Sequence, residues 1–426
     1  MATLRHSLQL FSFFVLLVQF SVQQQNPKVH PFDLEALFSI KNSLTEVSPT
    51  QAFFSTWNFT GPDPCSTFSG VTCALDTSLK PPALRVSILT LGTGLSDSIG
   101  LAGSVPDSIS KLAKLTQLIL SPGIVTGSIP PQLGKLSELR VISLANNRLT
   151  GVIPVTIASL RNLHTLDLSH NQLTGSIPPG LTQLPELKIL ILSSNSITGR
   201  VPGMSSQLLH LDLKKNKLFG PLPPSLPSSL CYLSLSENGL TGPLNGLESL
   251  SELAFLDLSM NQFSGPIPAP LFSSPTLSSL LLQRNNLSGG VPQVDPRKRP
   301  LISSPSYGQG SIVDLSHNFL TGELSTVLAE VESLFLNNNR LIGTVPKEYV
   351  KGVYNGNTRT LYLQHNYFTG FPMDEGEKLP DTASLCLSYN CMAMPVELMT
   401  CPASAGAPIS RPTAQCAMFN YGNSRG

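Results

Sequence analysis

Charge is scarce in this chain: Asp, Glu, Lys and Arg together make up only 12% of its 426 residues. The 27 basic side chains almost cancel the 26 acidic ones, leaving a net charge of +1. So even a balance gives no support to nucleic-acid binding or to a polybasic membrane patch. Aromatic residues reach 7%, with a single Trp. No GxSxG, HExxH or GxxxxGK segment occurs and no kinase segment follows, so the chain is not expected to be an enzyme. No cysteines have CxxC spacing, which leaves structural zinc without support. No cofactor is implied.

Long apolar runs are also missing after the first residues. Leu8 to Phe20 follows Arg5 and His6 and is broken only by Gln and Ser. It is short of the about 20 apolar residues of a membrane span, so residues 1–22 read as a secretion signal. The tail, Met418 to Gly426, lacks the hydrophobic end of a lipid-anchor signal. A mature chain outside the cell, without a membrane span, is expected.

Gly (32) and Pro (36) are too frequent for a helical protein, while 41% hydrophobic residues can still build a core. Cys65 and Cys73 stand near the start and Cys386, Cys391, Cys401 and Cys416 near the end. In a secreted chain such clusters read as disulfides stapling the ends. The first pair is local; the last four allow three pairings. Cys231 is left over, as a free thiol or for pairing with another chain. Asn58-Phe-Thr60 and Asn286-Leu-Ser288 are glycosylation sequons.

The decisive feature is a repeat. Leu139 to Pro154, Leu163 to Pro178 and Leu187 to Pro202 each read LxxLxLxxNxLxGxxP; the starts at 115, 139, 163 and 187 are 24 residues apart, and further units follow from Leu208. Roughly thirteen such units fit between residues 84 and 391. The alternating leucines are the pattern of a strand with one buried face. The Asn of each unit (Asn147, Asn171, Asn195 and their counterparts) leaves the strand and needs backbone partners from an adjacent turn. Gly suits a positive φ, and the following Pro ends the segment. A curved solenoid with a parallel sheet on its concave side is expected.

The LTGxIP element at Leu149 to Pro154 and Leu173 to Pro178 resembles the plant-specific extracellular leucine-rich repeat. That family includes receptor-kinase ectodomains, receptor-like proteins and polygalacturonase-inhibiting proteins. The resemblance implies a right-handed α/β superhelix with a second short strand in each turn. Asp33 to Leu44 reads as a helix with Asp33 able to cap its start and Leu34, Leu37, Phe38 and Lys41 in a stripe. With Trp57, Cys65 and Cys73 it looks like the family's N-terminal cap. The four late cysteines would cap the other end, although they depart from the LCGxPL tail of the inhibitor proteins. The expected organisation is a signal (1–22), a cap (23–83), repeats (84–391, with an insertion at 293–309) and a cysteine-containing C-terminal cap and tail (392–426).

Binding is expected on the concave face, where outward residues can vary without touching the core. The column before each Asn holds His170, Lys215, Arg284, His317 and His365; that between the leucines holds Leu281, Phe335 and Tyr362. Large side chains on a wet surface are favoured contact residues. Lys214, Lys215 and Arg284 are candidates for an acidic partner such as a pectin fragment, against a plain solvated face. Asp167, Asp212, Asp257 and Asp314 read as consensus. The insertion carrying Arg297 and Arg299, and three extra residues around Lys351 to Asn357, are candidate loops.

These features lead to a secreted recognition protein of the apoplast or cell wall. It would bind an extracellular peptide, protein or wall polysaccharide, with a membrane receptor kinase as a further partner. The alternative is an inhibitor of a secreted wall-degrading hydrolase.

Overall fold

The computed structural model describes residues 27–47, 53–61, 63–92, 100–292, 307–373, 379–393, 401 and 409–417. The apolar leader, Arg297 and Arg299 lie outside the described residues.

Each repeat folds as one turn of a solenoid. Thr165–Asp167 is the strand of one turn; it pairs in parallel with Val141–Ser143 on one side and Ile189–Ile191 on the other, leucine beside leucine. Among the described residues these strands form a fourteen-stranded sheet in which every neighbouring pair but the first is parallel. Leu163, Leu166, Leu168, Leu173, Ile177 and Leu181 of this one turn are all buried. Each such side chain is worth about 1.5–3 kcal/mol, but only because the next turn covers it.

After the Asn, a second short strand forms in most turns. Eight of these build another sheet, from Thr198–Gly199 to Tyr367–Gly370, and a three-stranded one precedes it. Between the second strand and the next turn the chain winds as a 3-10 helix, as in Val155–Ser159, which starts after Pro154.

The Asn residues bind neighbouring turns together. Asn171 donates Nδ2 to Leu144 O of the preceding turn (2.9 Å), and to Leu168 O and Ser169 O of its own (both 3.1 Å). Its Oδ1 accepts from Leu149 N at 2.9 Å. The same set recurs from Asn147 to Asn390. Gly175 has φ 73°, and a Cβ there would come within 2.7 Å of Val152 Cγ1.

The N-terminal cap differs from expectation in one detail. The helix spans Pro31–Ser43 and is capped by His30, whose ring accepts from Phe32 N at 3.3 Å. Asp33 therefore does not cap the helix; it is fully buried and paired with Arg85. Ala36, Leu37 and Ile40 make the buried stripe, whereas Phe38 is exposed and meets the edge of Phe59. Trp57 is enclosed, stacked on Phe68 and donating Nε1 to Ser69 O at 3.0 Å. Cys65 bridges to Cys73, and the hairpin of Val71–Asp76 with Ala83–Leu91 opens the long sheet. Leu44–Glu46 pairs antiparallel with Leu101–Ser104 and starts the three-stranded sheet.

At the other end Cys386 pairs with Cys401 and Cys391 with Cys416. The last turn is closed by Arg411, which lies over the rings of Tyr367 and Tyr389 (4.0 and 4.6 Å) and donates Nε to Asn366 O at 3.0 Å. The extra residues near Lys351 are not a free loop. They lengthen the usual 3-10 turn into an α-helix, Lys347–Tyr354, that buries Tyr349, Val350 and Val353 on the side away from the long sheet.

Candidate ligand-binding face

Because the leucines of each strand point into the core, the residues before, between and after them point outward from the long sheet. In-register pairing then stacks equivalent positions into columns about 4.8 Å apart. The column between the leucines runs Asp257, Leu281, Asp314, Phe335, Tyr362 from strand to strand. Phe335 and Tyr362 meet edge to face at 5.1 Å, as neighbours should. Leu281 does not join them, since Asp314 stands between. All three are half-buried rather than fully exposed.

The column before the Asn is more constrained than its sequence variety suggests. His170, Lys215, Arg284, His317 and His365 all have φ between 53° and 58°, as do Asn146, Ser194, Glu237, Met260, Asn338 and Tyr389. Here the chain turns sharply out of the strand through the left-handed region, which costs a side chain with a Cβ roughly 1 kcal/mol. The column is thus both a surface and a hinge of every turn. His317 Nε2 is 3.4 Å from Asn338 Nδ2, and His365 lies 5.1 Å from the ring of Tyr389. Burial pushes the pKa of His317 and His365 down, helped by Arg284 and Arg411 respectively.

The aspartates serve the same turn. Asp167 Oδ1 accepts from Ser169 N (3.0 Å) and its hydroxyl (2.7 Å), and Asp257 does the same with Ser259. Asp212 accepts from Lys214 N at 3.0 Å and Asp314 from Ser316 N at 2.9 Å. Burial nevertheless holds the Asp314 carboxyl above the usual carboxylate range, against these hydrogen bonds. Lys214 lies 3.7 Å from Glu237, so this cation already has an acidic neighbour.

A third column holds what the sequence reading missed. One position before the second leucine, His210, Tyr232 and Phe255 sit on adjacent strands in register. Their rings stack almost parallel, His210 on Tyr232 at 4.0 Å and 2°, Tyr232 on Phe255 at 4.5 Å and 3°. Stepping along the repeat at that position exposes three rings in succession. Burial lowers the pKa of His210, with Asp212 and Asp167 opposing, and raises that of Tyr232. Ile189 continues the column on one side and Ser279, then Ile312, on the other.

Away from this face, a polar hollow of about 310 Å³ is lined by Glu330, Glu332 and Arg359. Glu332 there already accepts from Gly310 N at 2.6 Å and pairs with Arg359 at 3.6 Å. Among the described residues, no group of three or more His, Cys, Asp or Glu is placed to hold a metal ion. Nor is any described helix long and apolar enough to cross a membrane. Asn58 and Asn286, the sequon residues, are exposed.

The family model for leucine rich repeats matches residues 127–173 and 137–197, and that for the leucine rich repeat N-terminal domain matches 30–74. Among solved structures, the plant peptide hormone receptor RGFR1 in complex with RGF2 is 31% identical, with a TM-score of 0.54. That match covers 63% of this chain and 42% of the receptor. The PEPR1–AtPEP1 structure is 28% identical with a TM-score of 0.63, covering 86% of this chain and 53% of that one. The chain therefore spans about half the length of these two matched proteins. A plant ice-binding protein is 26% identical with a TM-score of 0.54; 82% of this chain and 98% of that protein are covered. No curated protein matches the chain. The stacked repeat, the second strand, the capped ends and these matches agree: the chain folds as a capped solenoid of plant-type leucine-rich repeats.

Proposed function

We propose that this chain is a secreted recognition protein of the apoplast that binds an extracellular peptide or protein across the inner sheet. The observation that carries the reading is the ring column of His210, Tyr232 and Phe255, half-buried and flanked along its strands by Asp212, Ser234 and Asp257. Aromatic rings held rigid on a sheet offer contact area at little entropic cost, which is why such residues dominate binding energy. The plant peptide hormone receptor RGFR1 was solved in complex with RGF2, and PEPR1 with AtPEP1, which supports a peptide ligand. An acidic wall fragment is less favoured, because Lys214 is already beside Glu237.

The test is retention of extracellular peptides and proteins on the immobilised chain, compared with a Tyr232→Ala/Phe255→Ala variant. Ligand retained by the wild type and lost from the variant is the expected result. Equal retention by both would sink the reading. A receptor kinase acting with this chain would appear in the same retained fraction, and a hydrolase inhibitor would retain the enzyme itself.

A second reading rests on another face. Thr126, Thr150, Thr174 and Thr198 are exposed, one per turn, on the second strands and the bridges between them. Such a ladder could order water, and the ice-binding relative is matched over nearly its whole length. Each hydroxyl, however, already donates to a glycine carbonyl of the preceding turn (3.1–3.4 Å), and Phe219 ends the series. Ice-growth inhibition by the purified chain decides this reading.

A further inference from the structure

We propose that the inner sheet carries a ring-sized subsite above Ser279 that takes an aromatic side chain of an extended peptide. This rests on the reading of the inner face as a peptide-binding surface and names one determinant of what it accepts.

The geometry begins with the ring column. His210, Tyr232 and Phe255 place one ring per strand, and the stack would continue on the next strand if that strand supplied a ring. It supplies Ser279 instead. One strand further, Ile312 occupies the same column and is 40% exposed. Two strand spacings, roughly 9.5 Å, therefore separate the backbone positions of Phe255 and Ile312, with only a hydroxymethyl group between. A flat ring needs about 3.5–4 Å to each neighbour, so one ring fits and two do not. The gap has the thickness of a single aromatic group, with Phe255 as one wall, Ile312 as the other and Ser279 as the floor.

The surroundings favour an aromatic peptide side chain over a sugar. Leu281 is the next outward residue along the Ser279 strand, so that side of the gap is apolar as well. The adjacent Ser278 hydroxyl already donates to Ala254 O at 3.1 Å. A sugar ring would bury hydroxyls here against few partners, at a cost of about 1–3 kcal/mol for each one left unpaired. An extended peptide brings the complementary group instead. Gln283, the outward residue after Leu281, has a buried Oε1 without a hydrogen-bond partner. Turned outward, the Gln283 amide would accept from a peptide N–H running along the strand from the ring.

The experiment uses the full mature chain and ligand-observed saturation-transfer NMR with three probes: N-acetyl-tryptophan amide, N-acetyl-leucine amide and digalacturonate. Ser279→Phe fills the gap with the chain's own ring and continues the column. Thr165→Phe places a ring in the same column several turns away and serves as the control. The tryptophan amide is expected to bind the wild type and the control, and to lose binding about tenfold in Ser279→Phe, the scale of one stacked pair. Ile312→Ala, which removes one wall without filling the gap, is expected to weaken it as well and keeps the test open should Ser279→Phe fold poorly. Tryptophan binding that is absent, or unchanged in both variants, overturns the subsite. So does digalacturonate replacing tryptophan as the probe sensitive to Ser279→Phe. Tryptophan binding lost in Ser279→Phe, with no peptide or protein retained by the immobilised chain, would keep the subsite and reject the wider function. Retained ligand indifferent to Ser279→Phe, with no tryptophan bound, would do the reverse.

Discussion

Asp33 of the leading helix grips Arg85 at the start of the first parallel strand: Arg85 Nε is 3.0 Å from each carboxylate oxygen and its terminal nitrogen 2.8 Å from Oδ1. The carboxylate also accepts from Val86 N at 2.7 Å, so one side chain docks the cap onto the backbone of the first repeat. Both partners are buried. Removing only one leaves an uncompensated charge in a low-dielectric site, at a cost of about 3–5 kcal/mol. Arg85→Leu is therefore expected to loosen the cap strongly, and Asp33→Leu/Arg85→Leu to recover much of the loss. Trp57, the single tryptophan, is fully buried in the same cap, so its fluorescence during urea unfolding reports this region directly. A single variant as stable as the wild type by this readout would show that the pair does not hold the cap.

The asparagine ladder makes a second prediction. Asn261 donates to Leu235 O, Leu258 O and Ser259 O at 2.9–3.2 Å and accepts from Leu240 N at 3.0 Å. Asn261→Ala leaves these buried backbone groups without a partner, with a loss of about 2–4 kcal/mol from several unsatisfied groups. Asn261→Asp keeps the acceptor and loses the donor, so it should be no better. The midpoint of circular-dichroism unfolding checks both, and an unshifted midpoint for Asn261→Ala would refute the ladder as a source of stability.

How much of this was legible in the sequence follows from where each feature is encoded. The solenoid is written in spacing, because Leu166 and Leu168 must both reach the core and Asn171 must reach the preceding turn; no other residue order repeats so strictly. The second strand followed from the LTG element's likeness to known repeats. What spacing does not encode is the three-dimensional neighbour. Asp33 looks like a helix cap in sequence, yet its partner lies 52 residues away in Arg85. Lys351 to Asn357 reads as a loop insertion, yet it lengthens a packed helix because Tyr349 and Val353 find a core to enter. The ring column was present in the sequence but becomes a unit only once Leu211, Leu233 and Leu256 are known to align.

The left-handed column before each Asn supports a third prediction, because strain there is independent of binding. Met260 has φ 54° and is half exposed, with no hydrogen-bonded side chain to compensate. Met260→Gly removes the Cβ conflict, worth about 1 kcal/mol, but gives back part of it through a freer unfolded chain. A gain of about 0.5 kcal/mol is expected. Met260→Val places a β-branched side chain in the same conformation and should lose at least about 1 kcal/mol. The order Gly above Met above Val in melting temperature is the measurement; Val equal to Met would mean that the turn relaxes out of the left-handed region.

The last prediction concerns acid. His210 lies flat against Tyr232 at 4.0 Å, and burial pushes its pKa below the ordinary 6.5, with Asp212 and Asp167 pulling the other way. A histidine with a lowered pKa binds fewer protons folded than unfolded, so stability rises with pH wherever the two states differ in protonation. The contribution is complete above the unfolded value and is lost as the pH falls below about 6.5 towards the folded pKa. His317 and His365 shift in the same direction, so the wild type should melt lower near pH 5 than near pH 7. His210→Phe keeps a ring in the stack and removes only its proton. The drop in melting temperature between about pH 7 and pH 5 should therefore be smaller in His210→Phe than in the wild type. Equal drops would show that His210 takes its proton in the folded state as readily as in the unfolded chain. A ligand resting on these rings would feel the same proton: charging His210 below the window places a cation in the stack, and retention on the immobilised chain should fall with acid in the wild type but not in His210→Phe.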